Sequence, residues 1–187
     1  MSLTLTTPPS TEPVSLDEAK AHLKVDSTAE DALIASLITA ARARAEWHTG
    51  RALVTQSWTL WLDAWPGGGI VEIPLPPLQS VTQVALYALD DTMSVLDPAL
   101  YQVDAASAPT RLAQKNCFPP LVTNLRAVNA AAVSFTAGYG AADAVPQLIK
   151  EAILQIVADL YTHRGDEADI VSPAAGTLLA PYRIFRL

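Results

Sequence analysis

Paired apolar residues recur at every fourth position over residues 145–161, and this spacing predicts an α-helix with a wide apolar stripe. Pro146 suits the first turn of a helix, where its missing N–H leaves no hydrogen bond unmade. Gly165 suits a left-handed cap after the last turn. We therefore predict a long core helix over residues 145–165. Its stripe contains Leu148, Ile149, Ala152, Ile153, Ile156, Val157, Leu160 and Tyr161.

A helical hairpin is predicted over residues 15–50. Ser15 and Glu18 have the spacing of a capping box, in which the serine oxygen accepts from the third helical N–H and the glutamate accepts from the N-cap N–H. Ser27 and Glu30 repeat that spacing, and Gly50 suits the end of the second helix. The second helix alone has a stripe as wide as that of 145–165, so the two are expected to pack together. This stripe contains Leu33, Ile34, Leu37, Ile38, Ala41, Ala45 and His48.

After Gly50 the apolar period changes from four residues to two, which is typical of β-strands. The alternation marks strands over residues 54–62, 70–75, 80–89 and 131–137, with shorter ones near 101–103 and 110–113. Glycines at 67–69 predict a turn, and prolines at 74, 76 and 77 confine the end of the second strand to a sheet edge. A mainly antiparallel β-sheet is therefore expected within an insertion over residues 51–140.

The predicted fold class is α+β. A small helical bundle, made of the helical hairpin and the long C-terminal helix, carries the inserted sheet. Residues 1–14 are predicted to be an N-terminal arm, and residues 166–187 an extended C-terminal tail. An apolar tail with few residues left to cover it is expected to dock on a partner. The docking residues we predict there are Leu178, Leu179, Pro181, Tyr182, Arg183 and Phe185.

Composition narrows the possible partners. The chain of 187 residues has a formal net charge of −7, and an acidic surface is repelled by nucleic acid. Only the tail is locally basic, through Arg183 and Arg186, which leaves a DNA-binding regulatory module as a weak alternative. No apolar run approaches the ~20 residues of a membrane-spanning helix. The N-terminus lacks the pattern of a signal peptide, so cytoplasmic synthesis without membrane contact is expected.

Candidate catalytic and ligand-binding groups do not form a recognisable constellation. His22, His48 and His163 lack a second ligand at zinc spacing, and the single cysteine, Cys117, is expected to be a buried apolar residue. We therefore predict no catalytic residue, no metal site and no cofactor. The acidic pairs at 90–91 and within 166–169 are expected in turns and solvated loops. Core or sheet-face packing is expected for Trp47, Trp58, Trp61 and Trp65.

In its ordered set of motifs, the chain resembles the head–tail connector (adaptor) proteins of long-tailed phages, prophages and gene transfer agents. The matching segments are 13–24 (PVSLDEAKAHLK), 40–46 (AARARAE), 49–53 (TGRAL), 137–140 (AGYG) and 179–183 (LAPYR). Further matches are Gln56, Trp58, Leu62, Asp63, Pro66, Val145, Pro146, Tyr161 and Arg164. The resemblance extends over most of the chain.

The resemblance implies a non-enzymatic structural subunit of the virion neck. Such proteins assemble as a ring, usually twelve-fold, that joins the portal to the tail and extends the DNA channel. The implied partners are the portal, head-closure or tail proteins and other copies of the chain, while DNA passes without sequence-specific binding. A head-closure or tail-completion protein of the same neck is an alternative. A small hydrolase or ligand-binding enzyme is another, and it would require Asp63, His48 or Cys117 to converge in a cleft.

Overall fold

A computed structural model describes residues 1–107, 109–115, 124–163 and 171–184. The fold is α+β, with four α-helices and two antiparallel sheets among the described residues. It divides into two compact units. Met1–Pro8 and Thr55–Gly138 form the β unit, and Pro9–Val54 with Tyr139–Leu187 form the helical unit. The predictions for Cys117, Gly165, residues 166–169 and Phe185 fall outside the described residues.

The β unit contains a five-stranded and a three-stranded sheet, in which every described pair of strands is antiparallel. The strands are β1 (Ser2–Thr7), β2 (Gln56–Leu62), β3 (Ile70–Ile73), β4 (Leu78–Tyr87), β5 (Met93–Val95), β6 (Tyr101–Asp104), β7 (Thr110–Gln114) and β8 (Ala131–Ala137). The larger sheet has the order β1-β2-β8-β4-β5, and the smaller β3-β7-β6. The central strand of the larger sheet, β8, is apolar except at Ser134 and Thr136, as expected for a strand whose residues are mostly buried.

Two strands of the larger sheet, β1 and β5, were not predicted from the sequence. Residues 2–7 of the predicted arm pair with β2 as an edge strand. The short strand β5 pairs with the end of β4 after a turn in which the Asp90 carboxylate accepts from Thr92 N at 3.0 Å. Asp91 has a φ of 64°, a left-handed conformation that aspartate tolerates in turns. The turn was predicted, but three residues are too few for alternation to identify the strand that follows.

The helical unit contains α1 (Leu16–Leu23), α2 (Asp31–Thr49), α3 (Gln147–Thr162) and α4 (Pro173–Leu179). Its core forms where α2 packs against α3, which confirms the predicted pairing of these two helices. On α2 the buried residues include Ala41 and Ala45, whose small side chains let the two helices approach closely. On α3 they are Ile149, Ala152, Ile153, Ile156 and Val157, whereas Leu148 is exposed. No described helix is both long and apolar enough to cross a bilayer.

One of the two predicted capping boxes forms. The Ser15 hydroxyl oxygen accepts from Glu18 N at 3.2 Å, and the Glu18 carboxylate accepts from Ser15 N at 2.7 Å. The second prediction is wrong, because α2 begins at Asp31 without a side-chain cap and Ser27 Oγ accepts from Ala29 N instead. The carboxylate of Glu30 is bound by the Tyr161 hydroxyl, so a contact with α3 replaces the local box.

The predicted extended C-terminal tail is also wrong over the residues described. Residues 173–179 form α4, and a 3₁₀ turn continues over Ala180–Tyr182. Pro173 lies in the first helical turn, where proline is favoured. Ala175 and Leu179 are four residues apart, share one helix face, and are fully buried in the core that contains α3. Residues 173–179 are therefore helical because Ala175 and Leu179 are covered within their own chain.

Candidate partner-docking site

The C-terminal segment, residues 173–184, is held against the end of α2 by two hydrogen bonds that involve its main chain. Arg51 Nε donates to the carbonyl oxygen of Tyr182 at 2.6 Å, and Ile184 N donates to the carbonyl oxygen of Thr49 at 3.0 Å. Gly50 lies between the acceptor Thr49 and the donor Arg51, and it caps α2 with a φ of 70°. A Cβ atom on Gly50 would lie 3.8 Å from Ile184 Cβ, so the segment packs directly over this cap.

Arg51 is positioned by the helix end that precedes it and by a tyrosine. The Tyr139 side chain hydrogen-bonds to Arg51, and Tyr139 N donates to the carbonyl oxygen of Leu53 at 2.9 Å. Burial raises the pKa of Tyr139, while the positive charge of Arg51 acts in the opposite direction. Tyr139 therefore keeps its hydroxyl proton at neutral pH and can take part in this hydrogen bond as a neutral group.

A network of charged side chains fixes residues 51–53 relative to α2. Glu46 accepts from Arg42 at 2.7 Å and, with its other oxygen, from Leu53 N at 3.0 Å. Arg42 also donates to Glu12 at 2.7 Å, which ties the segment before α1 to the same network. Because each carboxylate has a hydrogen-bonded cationic partner, these half-buried charges are stabilised rather than isolated.

Trp47 lies on the opposite side of the last turn of α2 from the buried residues Ala45 and Thr49. Its side chain is 72% exposed, so the predicted core packing of this tryptophan is wrong. Trp58, Trp61 and Trp65 are each partly buried in the β unit, and Trp61 packs against Tyr87 with ring centroids 5.9 Å apart. Within protein interfaces, tryptophan is among the residues that most often dominate the binding energy, so Trp47 is a candidate for partner contact.

The predicted docking residues fall into two groups. Pro181 and Arg183 are exposed, whereas Leu178 and Tyr182 are half-buried against the helical core and Leu179 is completely buried. Leu179 therefore holds the segment on its own subunit and does not reach a partner in this conformation. We use the name docking end for the exposed group formed by Trp47, Pro181 and Arg183.

Arg51 and Trp47 were not assigned to the site from the sequence. The only signal for Arg51 was its position directly after the predicted cap Gly50, within a segment shared with connector proteins. His48, the neighbour of Trp47, has a lowered pKa, first because it is partly buried and second because Arg183 is near. Arg183 lies beside the last turn of α2, because its neighbour Ile184 donates its N–H to the carbonyl oxygen of Thr49.

Histidine and acidic side chains do not gather elsewhere in the described chain. His22 and His163 are exposed, and within residues 1–107, 109–115, 124–163 and 171–184 no three His, Cys, Asp or Glu side chains could hold a metal ion together. Asp63 accepts from Asn129 N at 3.1 Å and from the terminal amine at 3.2 Å. These bonds lower the pKa of Asp63, with the Asn129 contact contributing most.

Comparison with known proteins identifies the kind of protein to which this arrangement corresponds. Residues 13–92 match the family model of phage gp6-like head-tail connector proteins. The resemblance inferred from the sequence motifs is thereby confirmed. The matched region begins before α1 and contains α2 with Trp47. It also contains Gly50 and Arg51, which follow α2, and it ends in the turn between β4 and β5. No curated protein matches the chain.

Solved structures match the chain over its whole length. One is a chain in the neck of an empty gene transfer agent particle computed with C6 symmetry, with a TM-score of 0.86 and 25% identity over 100% of this chain and 97% of that chain. A chain from the virion of a native gene transfer agent particle matches with a TM-score of 0.85 and 24% identity, over 100% of this chain and 97% of that chain. A chain in the neck of a native particle computed with C12 symmetry matches with a TM-score of 0.76 and 23% identity, again over 100% of this chain and 97% of that chain.

Proposed function

We propose that this protein is a structural subunit of the neck of a phage, prophage or gene transfer agent particle. In this role it forms a ring that joins the portal to the tail and extends the DNA channel. The observation that carries the proposal is the full-length similarity to a neck chain at a TM-score of 0.86. The connector-family match over residues 13–92 supports it independently, since it is based on sequence.

The portal is the partner we assign to the docking end. Trp47 offers a large area with little side-chain entropy to lose, and tryptophan and arginine are the residues that most often dominate binding energy. Leu179 and the Arg51–Tyr182 bond hold this surface in place before the partner arrives. A rigid surface of this kind loses less conformational entropy on binding than a disordered tail would.

The ring itself is proposed to be twelve-fold in the particle, with DNA passing through it. A formal net charge of −7 disfavours tight contact with phosphates, so DNA would slide without sequence-specific binding. We propose the virion neck as its final location, after synthesis in the bacterial cytoplasm. The helical unit would be the small bundle typical of adaptors, and the β unit its insertion.

A head-closure or tail-completion role in the same neck is the alternative that deserves a direct test, because such proteins also assemble around the channel. An enzymatic role has less support. Asp63 is held by hydrogen bonds within the β unit, and partial burial lowers the pKa of His48 within the helical unit. We therefore propose a role in assembly without catalysis.

Electron microscopy of the purified protein, alone and mixed with the portal of the same particle, tests this function. We expect rings attached to the portal, and a portal-dependent shift of the protein to the ring fraction on gel filtration. Head-closure protein alone serves as the competing partner. Binding to that protein without binding to the portal would favour the alternative role, and a monomer in every mixture would contradict a neck-ring function.

A further inference from the structure

The five-stranded sheet has two free edges, formed by β1 at one end and β5 at the other. Neither strand has a second neighbour among the described residues. All three residues of β5 are exposed, and five of the six residues of β1 are exposed. The backbone along an exposed edge presents unpaired N–H and C=O groups, and these are a template for another strand.

The hydrogen-bond register identifies which groups of β5 face outward. Leu96 N donates to the carbonyl oxygen of Val84 at 2.8 Å, and Ala88 N donates to that of Thr92 at 3.0 Å. In an antiparallel pair the bonded positions alternate, so residues 92, 94 and 96 face β4. Met93 and Val95 lie opposite Tyr87 and Ala85 in the intervening non-bonded positions. Their N–H and C=O groups therefore point away from the sheet.

These two edges lack two of the features that usually protect an edge strand, a charged residue and a proline. Natural proteins place charged residues, prolines or bulges on exposed edges to prevent unwanted pairing. In the smaller sheet the edge strands follow that rule, since β3 contains Glu72 and β6 contains Asp104. In contrast, β1 (SLTLTT) and β5 (MSV) contain neither charge nor proline, and Met93 and Val95 are 51% and 53% exposed. A register shift interrupts β1 between Leu5 and Thr7, and Ser2–Leu5 pair regularly with β2. The two uncharged edges thus belong to one sheet and lie at its opposite ends.

We propose that β5 of one copy pairs with β1 of the next copy, so that the five-stranded sheets join edge to edge around the ring. This proposal rests on the neck-ring function. A cyclic ring of more than two copies needs a heterologous interface, in which two different surfaces of each subunit meet. Two uncharged edges at opposite ends of one sheet fulfil that requirement, since β1 and β5 are different surfaces of the same subunit.

The chemistry of the edge specifies a strand as the occupant. Met93 and Val95 together offer two N–H donors and two C=O acceptors, and β1 offers the complementary main-chain groups. Few bonds form at each junction, so a single junction is weak and the ring gains stability by closing on itself. We therefore expect assembly to depend on protein concentration and to be promoted by the portal, which gathers subunits at one place.

Cysteine cross-linking tests the pairing. In a Cys117→Ser background, Val95→Cys is combined in turn with Leu3→Cys, Thr4→Cys or Leu5→Cys, which sample both faces of β1. Directly opposite residues of paired strands satisfy the Cα separation that a disulfide needs. We expect a ladder of oligomers on oxidation of portal-assembled protein for at least one pair. The matched control combines Glu72→Cys of the protected edge with Val95→Cys and should give no ladder.

Two results would overturn the proposal. Val95→Cys alone forming a disulfide-linked dimer as the main product would mean that β5 pairs with itself. No ladder from any of the three pairs, while the same variants still assemble on the portal, would place the ring interface elsewhere and leave the neck-ring function intact. If wild-type protein forms no ring with the portal, both the function and the edge pairing fail.

A proline substitution gives a second readout that does not depend on disulfide geometry. Val95→Pro removes the outward N–H and leaves the bonds between β5 and β4 in place, as proline is tolerated on an edge strand. Val95→Ala is the matched control, since it shortens the side chain and keeps the N–H. We expect Val95→Pro to raise the protein concentration needed for ring formation at least tenfold, with unchanged circular dichroism, and Val95→Ala to change it less than threefold. Equal behaviour of the two variants would overturn the proposal.

Discussion

Arg51 Nε donates a hydrogen bond to the main-chain carbonyl oxygen of Tyr182 across 2.6 Å, and so joins two residues that lie 131 positions apart. The contact links the end of α2 to the C-terminal segment. Around it, Ile184 bonds to Thr49 and Leu179 fills the core between the helices. The docking end is thus an ordered part of the helical unit before any partner binds.

The first prediction concerns Arg51. Arg51→Ala should release the end of the C-terminal segment and lower the free energy of unfolding by about 1.5–3 kcal/mol, the usual contribution of a hydrogen bond from a charged donor. Amide hydrogen exchange should become faster at Ile184, whose N–H is bonded to Thr49. Arg111→Ala is the control, because Arg111 forms an exposed ion pair with Asp104 and such pairs contribute below about 1 kcal/mol. Equal effects would contradict the role of Arg51.

The second prediction compares two adjacent leucines of α4. Leu179 is fully buried in the helical core, whereas Leu178 is only half-buried. Leu179→Ala should lower the free energy of unfolding by about 2–5 kcal/mol, because it leaves a cavity in a packed core. Leu178→Ala should lower the free energy of unfolding by a clearly smaller amount. Urea denaturation of the two variants measures the difference, and a stable Leu179→Ala variant would show that the segment is not part of the core in solution.

The third prediction concerns the capping box of α1 and its dependence on pH. Hydrogen bonds from the Ser15 main chain and then from its side chain lower the pKa of Glu18. A carboxyl group whose pKa is lowered by folding stabilises the folded state at pH values above the pKa that the group has in the unfolded chain. That contribution is lost as the pH falls through the pKa of the group in the folded state. Ser15→Ala should lower the free energy of unfolding by about 0.5–2 kcal/mol at pH 7, and this loss should become smaller at acidic pH.

Ser27→Ala is the matched control for this experiment, since Ser27 has the same spacing to a glutamate but forms no capping box. Its effect on the free energy of unfolding should stay within about 0.5 kcal/mol and should not change with pH. Thermal or urea unfolding from pH 7 down to pH 3 provides the measurement. A pH-independent loss for Ser15→Ala would contradict the assignment.

The fourth prediction separates binding from stability at Trp47. The indole is 72% exposed, so Trp47→Ala should change the free energy of unfolding by no more than about 0.5 kcal/mol. If the portal covers Trp47, portal affinity should fall at least about 30-fold, as expected for a binding hot spot of about 2 kcal/mol or more. Leu89→Ala is the control, because Leu89 is also an exposed apolar residue but lies in the β unit. Unchanged portal affinity would move the docking surface away from Trp47.

Local sequence patterns were sufficient to predict several of the helices and strands. The four-residue period located α3, the Ser15–Glu18 spacing located the start of α1, and two-residue alternation located β2, β4 and β8. Period and capping are properties of neighbouring residues, so they can be recognised without knowing what packs against them. For the same reason, Ser27 and Glu30 led to a wrong prediction: the local pattern is present, but Tyr161 of a distant helix binds the glutamate.

Sequence motifs also indicated the kind of protein, because their order along the chain resembles that of head–tail connectors. The position of Trp47 was not predictable in the same way. Tryptophan is apolar enough for a core, and only the direction of α2 relative to α3 decides that this one faces outward. Similarly, nothing local distinguishes Leu178 from Leu179.

The sequence by itself determined the α+β class, the pairing of α2 with α3 and the connector resemblance, since these depend on periodicity and on the order of short motifs. The tertiary structure alone decided that the C-terminal segment is helical and held by Arg51, that residues 2–7 become an edge strand, and that β1 and β5 are the two outer strands of the larger sheet. These features depend on contacts between residues far apart in the chain, and such contacts leave no periodic pattern in the sequence.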